Sequence, residues 1–288
     1  MCEEQIPASR LHFSQETTVS NTTLPPGRSG LKKAAGEKPV LYLLEKYGFM
    51  NLHMIAYALK IKGHKTVNVN KTLKRMQEQG MVLKYTYIPK NPDLPQNDVY
   101  ALSKKARDDS GLSRAKRSPH DYNASNIPYV YEKLALCQWH LKLLAMKNTK
   151  EVMFQRFVEG ERFHVLVPSL VSVKTRLKKR ILLCALPVAR GRSKDAVINF
   201  LAQIVFLLRY FAENRKHFHS PVIVLLAESF SQIEDVACLL HSLSETKDLY
   251  VLYAVDSLVS DDEVNPLKML YQVRAEGRLK ALDLVQVA

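Results

Sequence analysis

The chain has 288 residues, 47% of them apolar, and a formal net charge of +14. That apolar content excludes a disordered chain, and the length accommodates two domains. The charge points to a polyanionic partner, nucleic acid ahead of an anionic membrane. Cys2, Cys137, Cys184 and Cys238 lie too far apart in sequence for a zinc knuckle and read as reduced thiols. The N-terminus has no apolar core of signal-peptide type. The longest apolar runs, such as Ala202–Leu208, fall short of the ~20 residues that span a bilayer. A soluble cytoplasmic protein with no membrane contact is expected.

Residues 1–37 mix Ser, Thr, Pro and Gly without a period, and Pro25-Pro26-Gly27 favours a disordered arm. From Pro39 the pattern changes. Proline suits a first helical turn, Val40, Leu41, Leu44 and Tyr47 follow at helical spacing, and Gly48 stops the run. Asn51 stands as the cap of a second helix carrying Leu52, Ile55, Ala56 and Leu59. Lys60–Lys65 is a basic turn, and a third helix runs from about Val67 to Gln79. Gly80 fits the left-handed position past its end. Met81–Ile88 and Asp98–Leu102 read as strands joined by a proline-rich loop. Three helices and then a hairpin is the winged helix-turn-helix order, placed at residues 38–108.

Lys104–Arg117 is polar and basic, a linker or an exposed helix end, and residues 109–128 are the candidate boundary. Residues 129–288 form the second domain. Tyr129–Lys147 is an amphipathic helix with Leu134, Cys137, Leu141 and Leu144 on one stripe. Val152–Val158, Arg162–Val173 and Arg180–Val188 read as strands, with Pro187 suggesting an edge or a break. Lys194–Phe211 is a helix and Pro221–Ala227 a buried strand. Ser231–Leu243 is a helix capped by Ser231 with Glu234 as its box partner, and Leu249–Ala254 another buried strand. The order predicts an α/β layer around a central mixed sheet, α+β for the chain as a whole. The last thirty residues have weak patterning.

The third helix carries the strongest functional signal. With Leu73 and Met76 turned to a core, Asn68, Asn70, Lys71, Lys74 and Arg75 are left for another surface, next to Lys65 and Thr66. Asparagine pairs bidentately with adenine, and Lys or Arg with guanine or phosphate. Between Lys60 and Lys90 there are eight Lys/Arg and one acid, Glu78, where a solvated face would mix signs. In the wing, Lys84 and Tyr85, with Tyr87 and Lys90, could meet the minor groove or the backbone. A second basic group, Lys174, Arg176, Lys178, Lys179 and Arg180, lies in the turn between two strands, and Arg190, Arg192 and Lys194 follow. Double-stranded DNA is the expected partner.

The turn Gln79-Gly80-Met81-Val82 and the strand Asp98-Val99-Tyr100-Ala101-Leu102-Ser103 before a helix carry a resemblance. Over residues 38–255 the chain resembles the replication-relaxation family of plasmid and conjugative-element proteins. That resemblance implies a winged helix followed by a domain similar to restriction-endonuclease-like (PD-(D/E)XK) nucleases. Such a nuclease holds a divalent metal through an Asp on one strand and a Glu or Asp, with a Lys, on the next. At those positions this sequence has Ser169, in Pro168-Ser169, and Ala185, in Leu183–Gly191. From Phe163 to Lys194 there are eight Lys and Arg and no acid.

The resemblance therefore implies a DNA-binding protein that does not cut, with no cofactor or metal. Its partners would be a relaxase or other replication and transfer proteins; the oligomeric state is not legible. Two alternatives stand beside it. One is a transcriptional regulator whose C-terminal domain senses a ligand or dimerises. The other is a metal-dependent nuclease whose acids lie elsewhere. No His/Asp constellation is evident for Ser169 or Ser172, and His217 and His219 read as helix-end residues rather than metal ligands. From Glu228 to Glu263 nine acids face one lysine, a stretch that would repel DNA and suits solvent or a protein partner.

Overall fold

A computed structural model describes residues 17–22, 37–63, 68–89, 97–109, 127–159, 164–174, 180–190, 194–214, 221–242, 250–256, 265–273 and 278–284. The first helix, α1 (Glu37–Tyr47), buries Val40, Leu41, Leu43, Leu44 and Tyr47. Gly48, at φ 78°, turns the chain, and its N–H donates to the Leu44 carbonyl at 2.8 Å. A two-residue strand, β2 (Met50–Asn51), leads into α2 (Leu52–Ile61), where the Met54 N–H donates to the Asn51 side chain at 2.8 Å. The third helix, α3 (Val69–Glu78), ends in a Schellman turn. Gly80, at φ 69°, donates to the Gln77 carbonyl at 2.8 Å and Met81 to the Met76 carbonyl at 2.9 Å.

The strands β3 (Val82–Pro89) and β4 (Asn97–Leu102) pair antiparallel, and β2 adds to the free edge of β4. The other edge of β3 takes β1 (Thr17–Thr22), giving the order β1-β3-β4-β2. Part of the expected disordered arm is thus a strand. Its Thr-rich run has β propensity, but only the exposed edge of β3 supplies the hydrogen-bond partners. The short α4 (Lys104–Asp109) is anchored by Ser103, whose hydroxyl donates to the Gly80 carbonyl at 2.7 Å and accepts from the Ala106 N–H at 3.1 Å.

The long α5 (Ile127–Leu144) is buried nearly all round. Val130, Tyr131, Leu134, Cys137 and Leu141 join the core of α1–α3 and the small sheet, whereas Leu136, Trp139 and Leu143 pack on a second sheet. Leu134, Cys137 and Leu141 of the apolar stripe face the N-terminal helices, and α5 is a wall shared by both cores.

The second sheet has seven strands in the order β11-β10-β9-β8-β7-β6-β5. Strands β5 (Thr149–Glu159), β6 (His164–Lys174) and β7 (Arg180–Pro187) form an antiparallel meander. The helices α6 (Lys194–Glu213) and α7 (Phe230–Ser242) connect β7, β8 (Val222–Ala227) and β9 (Val251–Val255), which run parallel. Beyond a single 3-10 turn, Pro266–Lys268, β10 (Leu270–Val273) and β11 (Leu279–Leu282) extend the sheet antiparallel. Side chains alternate along β8: Ile223 and Leu225 meet α6 and α7, and Val224 and Leu226 meet the α5 side. The result is a three-layer mixed α/β unit with a mixed sheet, as the element order predicts.

Three local expectations change. Pro187 ends an interior strand rather than marking an edge. The N–H it lacks would fall where the parallel ladder closes, and Val188 donates to the Leu226 carbonyl at 2.9 Å instead. The cap of α7 is Ser229, not Ser231: its hydroxyl accepts from the Gln232 N–H at 3.2 Å, and the Gln232 side chain accepts from the Glu228 N–H at 2.7 Å. Ser229 thus caps the helix two residues earlier than expected, and Gln232 reaches one residue past the capping-box position to the N–H before the cap. Finally, Asp195–Glu213 of α6 is long and apolar enough to cross a bilayer, the one such helix among the described residues. Its Phe200, Ile204, Leu207, Tyr210 and Phe211 are buried against the sheet, as in the core helix of a layered protein.

Candidate functional site

The exposed face of α3 is set by what its other face buries. Val69, Thr72, Leu73 and Met76 lock the helix onto the core, so Asn70, Lys71 and Lys74 are held outward together. Lys71 and Lys74 are exposed and form no ion pair among the described residues. Lys60 and Lys62 lie exposed on and just after α2, with the Lys62 ammonium 4.1 Å from the centre of the Tyr42 ring.

Four of the predicted contacts are altered by their surroundings. Asn68 is the N-cap of α3, its side-chain oxygen accepting from the Lys71 N–H at 3.0 Å. Arg75 turns back to Glu37, Nε to Oε1 at 2.7 Å, where the carboxylate is 1% exposed. Lys84 pairs with Asp98 at 2.7 Å, and that partner raises the Lys84 pKa. Tyr85 is a core residue, 7% exposed and edge-on to Phe49 at 6.4 Å between ring centres, so it is not a wing contact. Period-2 alternation put Tyr85 on one face of β3, but burial depends on Phe49, which no local pattern links to it. Lys65, Thr66 and Lys90 lie outside the described residues. Replacing Arg75 by alanine should remove an ion-pair partner from the buried Glu37 carboxylate. A loss of about 1–2 kcal/mol in urea unfolding is expected, with most of it recovered in the Glu37→Gln/Arg75→Ala double variant.

The second basic group is described only at its ends. Lys174 and Arg180 are exposed register partners closing β6 and β7. Arg176, Lys178, Lys179 and Arg192 fall outside the described residues, as do His217 and His219. The fold adds two lysines that the sequence did not single out. The main chain of Lys174 exchanges hydrogen bonds with Asn148, beside exposed Lys147 and Lys150. Strand pairing thus gathers basic side chains at one end of the β5–β7 meander.

The positions Ser169 and Ala185 are direct cross-strand partners on β6 and β7, both fully buried. Ser169 also has the histidine that spacing did not reveal. The His140 Nδ1 lies 2.8 Å from the Ser169 Oγ, and its Nε2 lies 2.7 Å from the Glu151 Oε2. Lys46 of α1 pairs with the same carboxylate oxygen. With the imidazole neutral, Nε2–H donates to the carboxylate and Nδ1 accepts the serine proton. The order is that of a nucleophilic triad. Here, however, Ser169 and His140 are 0% exposed, and the serine lies mid-strand between two neighbouring strands. Residues from α1, α5, β5 and β6 are instead tied into one polar bridge between the two cores, buried at Ser169 and His140 and partly exposed at Glu151 and Lys46. Long-range partners of this kind have no signature in a single sequence.

Burial lowers the His140 pKa, with nearby Lys46 adding to it and Glu151 opposing it. For Glu151 burial pushes the pKa up, but hydrogen bonds from His140 and Lys46 and their charges win, taking it down to about 2. Both folded values lie below the ordinary ones, so both groups contribute stability above those values and lose it on acidification. The melting temperature should fall as pH drops below about 6.5, the ordinary histidine value, and fall again as pH approaches 2 through the Glu151 window. Calorimetry across pH 7 to 4 checks the first part, and a flat profile there contradicts it.

A further pair joins α5 to β5. The Lys133 ammonium donates to the Gln155 Oε1 at 3.2 Å, and burial brings its pKa down to about 8. Gln155 sits at φ 45°, a left-handed conformation that only glycine adopts without strain. Past the carboxyl ends of β7 and β9, Arg190 pairs with Asp256, and the Arg190 N–H donates to the Glu132 carboxylate at 2.9 Å. Among the described residues no group of three or more His, Cys, Asp or Glu is placed to hold a metal ion. No protein-family model matches the chain, and comparisons with curated proteins and with solved structures find no match either.

Proposed function

We propose that this protein binds double-stranded DNA through the outer face of α3, without cutting it. The observation that carries the reading is the orientation of that helix. Leu73 and Met76 are fixed in the core, which holds Asn70, Lys71 and Lys74 outward on adjacent turns. A basic, amide-bearing helix face beside a hairpin suits a major groove flanked by phosphates. The order α1-β2-α2-α3-β3-β4, with β2 added to β4, supports a winged-helix reading of the N-terminal part.

The meander end carrying Lys147, Lys150, Lys174 and Arg180 adds a second phosphate-contacting surface. Absence of cleavage rests on Ser169 and Ala185 standing where the resemblance places metal-binding acids. The setting, replication or transfer of a mobile element, rests on that resemblance alone. Anisotropy titrations of a labelled 30-base-pair duplex at several salt concentrations test the binding. Incubation of supercoiled plasmid with Mg²⁺ or Mn²⁺ tests the chemistry. Salt-insensitive or absent binding overturns the first claim, and metal-dependent nicking overturns the second.

A further inference from the structure

The outer face of α6 is apolar in its middle and charged at its ends. Asp195, Ile198, Ala202, Val205 and Arg209 recur at alternating spacings of three and four, the spacing of a helix-packing seam. Ile198 is 50% exposed, and Asp195 and Arg209 are exposed. The opposite side, Phe200, Ile204, Leu207 and Phe211, is already spent on the sheet. From Ala196 to Leu208 there is no charged residue.

We propose that this seam joins two copies of the chain, with α6 packing antiparallel on α6 about a two-fold axis at Ala202. Residues 195 and 209 lie equally far from 202, so the axis sets Asp195 of each copy against Arg209 of the other, making two ion pairs at the ends. It also sets Ile198 opposite Phe206. A small residue at the crossing lets the helices approach closely. A parallel arrangement would instead put Asp195 on Asp195 and Arg209 on Arg209.

The chain's net charge does not oppose this contact locally. On α7, in the same layer, Phe230–Ser242 carries Glu234 and Asp235 and no Lys or Arg. Leu239 there is 40% exposed and widens the apolar surface. An exposed seam of this kind on a chain with a basic helix face would also present two such faces related by symmetry, but the pairing stands whether or not the protein binds DNA.

Sedimentation equilibrium of the full chain at micromolar concentration tests it. A dimer is expected. Asp195→Arg and Arg209→Asp should each weaken it roughly tenfold by facing like charges. The double exchange, Asp195→Arg/Arg209→Asp, should restore it, with far-UV circular dichroism unchanged throughout because both positions are exposed. A monomer overturns the proposal, and so does a dimer indifferent to the single exchanges or not restored by the double one. Flotation with phosphatidylcholine/phosphatidylglycerol vesicles that is lost in Ile198→Glu would assign the seam to a lipid surface and likewise overturn it.

Discussion

Replacing Lys71 and Lys74 by alanine is expected to weaken binding to duplex DNA by roughly tenfold or more at ~150 mM salt. Each lysine that no longer neutralises a phosphate should flatten the log–log salt dependence by about 0.9; two lysines facing the duplex give about 1.8. Melting temperature should not move, because both side chains are exposed and make no ion pair among the described residues. Arg75→Ala should behave in the opposite way, with a lower melting temperature and a smaller effect on DNA, since its guanidinium is held by Glu37 at 2.7 Å. Anisotropy titrations and thermal melts of the same preparations separate the two effects. If duplex affinity and salt slope survive the double substitution, α3 is not the reading helix.

The second large effect is expected at His140, and it is one of stability. His140→Ala removes an acceptor from Ser169 and a donor from Glu151 and opens a cavity beside Tyr47 and Phe154, whose rings lie 5.9 and 4.2 Å from the imidazole. Poorer packing and an unsatisfied buried hydroxyl together cost about 3–5 kcal/mol. For a chain of this size that lowers the melting temperature by roughly 10 °C. Ser169→Ala should cost about 1 kcal/mol, one neutral hydrogen bond. If the serine were a nucleophile, its removal would abolish an esterase activity while sparing stability. A bridge between cores predicts the reverse, and esterase assays with nitrophenyl esters beside calorimetry distinguish them. Because Lys46 brings α1 into the bridge, His140→Ala should also loosen the N-terminal helices, visible as faster amide exchange in α1.

Several elements are legible residue by residue. Asn51 and Gly80 have one stereochemical use each at their positions, an N-cap and a left-handed stop, and both occur where local chemistry places them. The apolar runs of β8 and β9 are long enough for a strand and lack the polar alternation of an exposed face, which requires burial on both sides. The acid-free character of Phe163–Lys194 is likewise a property of composition alone.

Other features depend on partners distant in sequence. Tyr85 and Lys84 are neighbours in one strand, yet one is core and the other an ion-pair partner of Asp98, because Phe49 packs on one face of the β3–β4 pair and Asp98 lies on the other. Arg75 follows Lys74 with the same charge but points to a buried acid 38 residues away. A helix read as amphipathic, α5, is apolar on most sides because two cores share it. β1 forms where a disordered arm is expected because β3 offers an edge.

The sequence by itself determined the types of most elements from Pro39 to Ala254, the mixed α/β order and the concentration of basic residues, since these follow from local stereochemistry, periodicity and charge. Only the tertiary structure decided which basic side chains remain outward, that Ser169, His140, Glu151 and Lys46 meet, and that α6 turns outward a face apolar in its middle and charged at its ends. Those outcomes depend on burial and on contacts between residues far apart in the chain, which no local pattern encodes.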